Sequence, residues 1–264
     1  MNGLKHINLN NYLIKAFFGF VVLFAIYHLP EFLQNHFHKP LILVLELIML
    51  LFTVIAYYFG KQRHSNGFQT YGLHSLQKKW GNLINGLLIG ISLATLANLI
   101  PVWLNWNEIS IQIDWYKILP QLAIFAVGTM LPSLAEDILT RGYLRSLWPE
   151  KWNLKLLIPL SATVYSLNHI FRIGQPDVLL YLFVLGSLLM WCFIKTGTLW
   201  LTFGIHWGSN IAYQFFTKIT ILKLIKENGM ENYVLAGTYA FGFLLLILFH
   251  KINHFTNFND PSTN

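Results

Sequence analysis

Charged residues are scarce in this sequence. Asp, Glu, Lys and Arg together make up 11% of its 264 residues, whereas a typical soluble domain carries about 25%. Hydrophobic residues make up 55% of the chain, and the mean hydropathy is +0.50. No stretch has the composition of a soluble domain, so the sequence predicts an integral membrane protein.

Cysteine is nearly absent as well. The single Cys192 lies in an apolar run, which excludes intrachain disulfides and metal sites of the CxxC type. The sequence also lacks an HExxH motif, so the zinc-binding helix of many metalloproteases is absent. The formal net charge of +7 is typical of a membrane protein with positive loops on its inner side. No basic face is interleaved with stacking aromatics, so no nucleic-acid partner is expected.

Long apolar runs, in contrast, recur along the whole chain, and each approaches the ~20 residues that a helix needs to cross a bilayer. They predict an all-α, multi-pass membrane helix bundle of about eight transmembrane helices, which forms a single domain over residues 1–256. The polar residues 257–264 are predicted to form a disordered tail. The predicted spans are Tyr12–Leu29, Leu41–Phe59, Leu83–Leu104, Ile118–Leu147, Leu156–Phe171, Val178–Ile194, Thr198–Phe216 and Tyr233–Phe249.

The ends of these spans predict an orientation. Lys5 and Lys15 precede the apolar run Ala16–Leu29, which has no small-x-small cleavage site, so we expect a retained first span rather than a cleaved signal peptide. Lys and Arg are more frequent in the loops on the N-terminal side of the bundle, and both termini are therefore predicted to be cytoplasmic. On the opposite side, Asn107–Trp115 alternates apolar and polar residues, which indicates a short strand or an interfacial segment.

The stretch Pro132–Arg145 places acids and bases inside the fourth predicted span. Ionisable residues are costly within a membrane and therefore indicate a functional site. Asp137 and Arg141 are four residues apart, with the acid first, which favours an ion pair on one helix face. Glu136 is about 100° around the helix from Asp137, so its carboxylate is predicted to be available for another role.

Two later spans also carry polar residues at helical spacing. His169 lies near the far end of the fifth span, and His206 and Asn210 are four residues apart on one face of the seventh. In the seventh span, Gly204 and Gly208 are also four apart, which favours close packing against another helix. A single buried histidine is more often a satisfied core group than a catalyst. The prediction of a functional site therefore depends on whether these residues lie close together in the fold.

Their depths in the membrane can be compared. If the fourth helix continues to about Trp148, then at about 1.5 Å per residue Glu136 lies ~18 Å and His169 ~25 Å from the same inner turn. His206 and Asn210 lie ~14 Å and ~20 Å from the next inner turn. The four polar groups are thus predicted to meet in one buried pocket.

Such a pocket supports two kinds of hydrolytic chemistry. A carboxylate and a histidine can activate water and return its proton to a leaving amine, while a second histidine and an asparagine amide donate hydrogen bonds to the oxyanion. Alternatively, Glu136, His169, His206 and Asn210 can hold a divalent metal ion such as zinc, which would activate the water.

These residues resemble the motifs of the CPBP family of intramembrane endopeptidases, also called the Abi or CAAX-protease family. The family pattern is EExxxR, then FxxxH, then HxxxN or HxxxD, and the resemblance covers roughly residues 121–216. Two departures, Asp137 for Glu and Tyr165 for Phe, are conservative. The matching residues are, in order, Glu136, Asp137, Arg141, Tyr165, His169, His206 and Asn210.

The resemblance implies a protease-like core over residues 118–216 and a role for each residue. Glu136 and His169 would activate water, His206 and Asn210 would stabilise the oxyanion, and the Asp137–Arg141 pair would be structural. Family members have been described both as metalloproteases and as glutamate proteases. The implied substrate is a peptide or protein, lipid-modified in the eukaryotic relatives, and the implied location is the plasma membrane of a bacterium.

Two other functions are compatible with the same bundle. One is a non-catalytic membrane protein, such as a bacteriocin-immunity or scaffold protein, that acts by binding. The other is a small proton-coupled transporter that uses the buried acid and histidines as a relay. Transporters often show related halves, and no internal repeat is visible here, which disfavours the second alternative.

Overall fold

The computed structural model describes residues 9–37, 42–111, 113–226 and 229–258. It shows an all-α helix bundle, as predicted, with one small two-stranded sheet. The strands are β1 (Asn107–Ile111) and β2 (Thr220–Leu224). The helices are α1 (Leu9–Phe37), α2 (Ile42–Lys61), α3 (Leu76–Trp103), α4 (Trp115–Asp137), α5 (Leu144–Leu147), α6 (Leu157–Asn168), α7 (Pro176–Thr196), α8 (Leu199–Gln214) and α9 (Glu231–Phe258).

Six helical segments in the described residues are long and apolar enough to cross a membrane. The fifth predicted span forms α6, whose 12 residues are fewer than the ~20 of a full crossing. The seventh forms α8, which continues through a π-helical turn, Phe215–Ile219, but is not among the six apolar spans. Helix α9 continues to Phe258, and the rest of the predicted polar tail lies outside the described residues. The spans are Ile14–Gln34, Leu43–Lys61, Gly67–Trp103, Trp115–Leu147, Pro176–Thr196 and Glu231–His250.

The fourth helix continues beyond Asp137, as its predicted length requires. A π-helical turn, Ile138–Tyr143, joins α4 to α5 without a break, and all six of its residues are buried. A π-helical turn widens the helix by one residue and is frequent at functional sites. Here it lies directly after the two acidic residues of α4.

Helices α3 and α8 pack with their backbones in close contact. A Cβ atom added at Gly204 would lie 2.4 Å from the carbonyl oxygen of Leu83, and one at Gly90 would lie 2.0 Å from that of Ile205. Both distances are below van der Waals contact, so these positions accept only glycine. The spacing in α8 predicts this close packing, which positions His206 against the rest of the bundle.

The segment Asn107–Trp115 contains a strand, as its alternation predicts. β1 pairs antiparallel with β2, in a register that aligns Asn107 with Leu224 and Ile111 with Thr220. The partner strand β2 lies between the seventh and eighth predicted spans, where the sequence analysis predicts no strand.

Candidate active site

Glu136 lies at the end of α4 and is only 4% exposed. Its Oε1 atom accepts a hydrogen bond from the side-chain amide of Asn168 at 2.8 Å. Its Oε2 atom lies 3.4 Å from Nε2 of His206. The phenol of Tyr27, from α1, also interacts with this carboxylate. Three different helices therefore hold a single buried carboxylate in place.

His206 is 3% exposed and contacts two carboxylates at once. Its Nδ1 atom lies 3.0 Å from Oδ1 of Asp137, while its Nε2 faces Glu136. The hydroxyl of Tyr165 is 3.5 Å from the same Nε2 atom. The two consecutive acids of α4 thus bind the two nitrogens of one imidazole, although they point in different directions around the helix.

Asp137 and Arg141 form a fully buried ion pair, with Nη1 of Arg141 2.5 Å from Oδ1 of Asp137. Arg141 also donates to the hydroxyl of Thr140 at 3.0 Å, and its guanidinium lies 4.6 Å from the ring centre of Tyr165. Among the described residues, Oδ2 of Asp137 and the Nε and Nη2 atoms of Arg141 have no hydrogen-bond partner. A buried pair of this kind stabilises a fold only while both charges are present.

His169 occupies the position just after α6, and its side chain is 32% exposed. Its Nδ1 atom lies 3.0 Å from the carbonyl oxygen of Tyr165 and 3.9 Å from Oε1 of Glu136. In the neutral imidazole, donation from Nδ1 to the Tyr165 carbonyl leaves the lone pair on Nε2. His169 is thus close to Glu136 without binding it directly.

Asn210 lies one turn beyond His206 on α8. Its amide donates to the hydroxyl of Ser133 at 2.9 Å, and Ser133 donates in turn to the carbonyl oxygen of Thr129 at 2.7 Å. An amide group has two N–H donors, so one donor remains after the contact with Ser133.

A cavity of about 490 Å³ brings these groups together. Glu136, His169, His206 and Asn210 all line it, as the comparison of depths predicts. The volume is within the range of about 300–1,000 Å³ typical of ligand pockets. Its walls combine polar and apolar residues from α1, α3, α4 and α6 to α9, so the pocket can accept an amphipathic ligand.

Several residues at the site were not predicted from the sequence. Asn168 is the hydrogen-bond donor to Glu136, and His28 of α1 lies 2.7 Å from the backbone carbonyl oxygen of Asn168. The second nitrogen of His28 lies 2.9 Å from the carbonyl oxygen of Phe24. A histidine at the end of the first predicted span was the available signal for His28, whereas Asn168 could have been found as the polar neighbour of His169.

Whether the site could hold a metal ion depends on which of its lone pairs are free. In the part of the chain that the structure describes, no three His, Cys, Asp or Glu side chains form a group that could hold one. Oε1 of Glu136 is bound to an amide, whereas the Nδ1 contacts of both histidines leave Nε2 as the nitrogen that could bind a metal ion, as in many metal sites. Zinc needs free nitrogen or oxygen lone pairs that converge at about 2.0–2.2 Å from one point.

The fold and the site together define an integral membrane helix bundle with a buried acid–histidine centre. Residues 118–212 match the family model described as type II CAAX prenyl endopeptidase Rce1-like. The matched segment contains every candidate site residue from Glu136 to Asn210, and the resemblance to the CPBP or CAAX-protease family is confirmed. No curated protein and no solved structure matches the chain.

Proposed function

We propose that this protein is an intramembrane endopeptidase in which Glu136 activates the attacking water. The observation that carries the proposal is the contact of the buried Glu136 carboxylate with Nε2 of His206 at 3.4 Å, inside a cavity of about 490 Å³. The match of residues 118–212 to a CAAX-endopeptidase family supports it. A carboxylate that is partly desolvated and held by donors is suited to general base catalysis.

The proton between Glu136 and His206 has a central part in this proposal. Asp137 accepts a hydrogen bond from Nδ1 of His206, so Nε2 of a neutral His206 carries a lone pair. This lone pair would repel the Glu136 carboxylate, and the contact is therefore favourable only if Nε2 or Glu136 carries a further proton. With that proton on His206, the imidazolium is stabilised by both acids. When Glu136 takes a proton from water, its attraction for the Nε2–H group falls, and this group can donate to the oxyanion.

His169 and Asn210 complete the proposed machinery. The Nε2 lone pair of His169 can accept a proton from water or position the water for Glu136. The remaining amide donor of Asn210 can bind the oxyanion together with His206. The proton held by Glu136 is then delivered to the nitrogen of the leaving peptide, which balances the hydrolysis without a metal ion.

The proposed substrate is a peptide segment that reaches the cavity from the membrane, and a lipid-modified peptide is the expected class. Apolar side chains such as Val178, Leu182 and Leu185 line the cavity beside its polar groups. An amphipathic substrate can therefore place a scissile peptide bond at Glu136 and an apolar group against these residues. The proposed location is a bacterial plasma membrane, with both termini on the cytoplasmic side.

The proposal is tested with purified full-length protein and a panel of fluorogenic peptides, with and without a lipid anchor. We expect the wild type to cleave at least one peptide and Glu136→Gln to lose at least about 100-fold in kcat. Glu108→Gln is the matched control, since Glu108 is exposed in β1. Both variants should keep the thermal midpoint of the wild type to within a few degrees.

Three outcomes would contradict parts of the proposal. An active Glu136→Gln variant would exclude Glu136 as the base. Loss of activity with a strong chelator, restored by added zinc, would overturn the metal-free mechanism. Binding of a peptide without cleavage, equal in wild type and Glu136→Gln, would favour a binding-only membrane protein.

A further inference from the structure

A second cavity, of about 510 Å³, lies where the start of α1, the end of α2 and helix α5 meet. It shares no lining residue with the cavity around Glu136. Lys15 enters it from α1, Arg63 from the segment after α2, and Ser146 from α5. The proposed peptidase reaction makes no use of this cavity.

The charged residues that line this cavity are all cationic. Lys15 and Arg63 both line it, and none of the described residues around it is acidic. Lys15 is exposed and forms no ion pair with a described residue. Arg63 is oriented by a hydrogen bond that its guanidinium donates to the backbone carbonyl of Ser146. The cavity therefore favours an anionic ligand.

Neutral polar groups accompany the two cations. Gln62 and Thr70 also line the cavity, and the hydroxyl of Thr70 donates to the carbonyl oxygen of Gly60 at 2.8 Å. The hydroxyl of Tyr143 donates to the carbonyl oxygen of Ala16 at 2.9 Å, which joins the wall formed by α1 to the π-helical turn. These contacts hold the wall in a defined shape around the cations.

The remaining wall is apolar. Phe18, Phe59 and Leu147 line the cavity, and Phe18 is 65% exposed on the outer face of α1. Its neighbour Phe17 is 71% exposed. Aromatic side chains exposed on a membrane span contact lipid. A ligand that fills this cavity must therefore combine an anionic group with an apolar part.

The position in the bundle agrees with that chemistry. Lys15, Arg63 and Ser146 come from three chain segments that the distribution of Lys and Arg predicts to lie on the inner side of the membrane, and the structure brings them to one cavity. The inner leaflet is the one enriched in anionic lipids, and basic pockets between helices on that side bind phospholipid head groups.

We propose that this cavity binds the phosphate group of an anionic phospholipid. Lys15 and Arg63 contact the phosphate, Gln62 and Thr70 border the glycerol region, and the acyl chains leave along Phe18. The lipid would join the start of α1 to the helix that follows the active-site turn, and it acts as a ligand independent of peptide cleavage.

The test uses purified full-length protein in a nonionic detergent. Dioleoyl phosphatidylglycerol, dioleoyl phosphatidylcholine and sodium phosphate are titrated separately, and binding is followed by native mass spectrometry and by the thermal midpoint. We expect one retained phosphatidylglycerol per chain, with a saturable rise in the midpoint, at concentrations where phosphatidylcholine gives neither.

Matched variants localise the binding. Lys15→Gln and Arg63→Gln should each weaken phosphatidylglycerol binding about fivefold, and the double variant about 25-fold, since each cation near an anionic lipid contributes similarly. Lys155→Gln is the control, because Lys155 is an exposed cation on the same side that does not line the cavity. Lys15→Gln keeps the test valid if loss of the Arg63 contact impairs folding.

Each contrary result overturns the proposal. Equal retention of phosphatidylcholine would show that the head-group charge is not recognised. An equal loss of affinity in Lys155→Gln would indicate general attraction to a basic surface. Sodium phosphate that alone reproduces the saturable shift would assign the cavity to a soluble anion. Glu136→Gln should bind phosphatidylglycerol like the wild type, so a failure of the peptidase proposal does not affect this one.

Discussion

Nδ1 of His206 lies 3.0 Å from Oδ1 of Asp137, and this contact gives Asp137 a second role beside its ion pair with Arg141. The carboxylate determines which nitrogen of His206 carries a proton, and it turns Nε2 towards Glu136. An acid that orients a histidine in this way controls its tautomer.

Asp137→Asn should therefore lower activity as well as stability, since it also removes the charged partner of the buried Arg141. An amide can present its N–H to Nδ1 and stabilise the wrong tautomer, and we expect kcat to fall by about 100-fold or more. Asp137→Glu is the matched variant, since it keeps the charge and restores the family pattern. Activity on a cleaved peptide and the thermal midpoint are measured together. Equal activity of Asp137→Asn and wild type would exclude the orienting role.

Arg141 should matter mainly for stability. Its removal leaves the Asp137 carboxylate buried with no guanidinium partner, because both side chains are 0% exposed, and breaking such a pair costs about 3–5 kcal/mol. Arg141→Ala is compared with Arg145→Ala, a change at a half-buried position one turn later, by denaturation in mixed micelles. A change of less than about 1 kcal/mol in Arg141→Ala would show that this ion pair does not stabilise the fold.

Most of the bundle could be predicted from the sequence because membrane spans are defined by local composition. The structure shows the predicted continuation of the fourth helix beyond Asp137, and it also shows a strand at 107–111. The length of α6 was overpredicted, since apolar residues beside a helix end look the same as residues within it. Hydropathy indicates which residues favour the membrane over water, but it does not indicate at which residue a helix ends.

The arrangement of the site was less accessible from the sequence. The spacing of Asp137 and Arg141 predicts their contact, because one helix fixes both positions. The contact of His28 with Asn168 joins residues 140 positions apart, and no periodicity carries that information. For the same reason the partner of Gly204 and Gly208 in α3 could not be named, since glycine spacing indicates a close contact without saying which helix provides it.

Asn168 is expected to position Glu136. Its amide is the 2.8 Å donor to Oε1, and hydrogen bonds to charged groups contribute about 1.5–3 kcal/mol. We expect Asn168→Ala to lower kcat/KM by about 10- to 100-fold if this contact persists in the transition state. Asn168→Asp should be worse, because it places a second carboxylate against Glu136. Wild-type kcat/KM in Asn168→Asp would rule out this positioning role.

His28 should stabilise the end of α6. Its Nε2 lies 2.7 Å from the carbonyl oxygen of Asn168, one of the last carbonyls of that helix, which have no partner within it. His28→Leu would leave this buried acceptor unsatisfied at a cost of about 1–3 kcal/mol. His74→Leu is the control, since His74 is exposed, and hydrogen exchange of α6 locates the effect. Equal protection of α6 in both variants would contradict the assignment.

Gly90 tests whether the close contact of α3 and α8 positions His206. A methyl group at Gly90 would lie 2.0 Å from the carbonyl oxygen of Ile205 and 2.9 Å from the amide nitrogen of Ser209, so Gly90→Ala must push α8 away. Overpacking of this kind costs about 1–3 kcal/mol, and because Ile205 precedes His206, the imidazole moves with it.

The matched control for this prediction is Gly237→Ala in α9, where an added methyl group meets nothing within 4 Å. We expect Gly237→Ala to leave activity unchanged and to raise stability by about 0.5–1 kcal/mol, since alanine favours a helix over glycine. Gly90→Ala should lower both the thermal midpoint and kcat. If Gly90→Ala were as stable and active as Gly237→Ala, the bundle could separate these helices without moving His206, and the geometry around Glu136 would not depend on their contact.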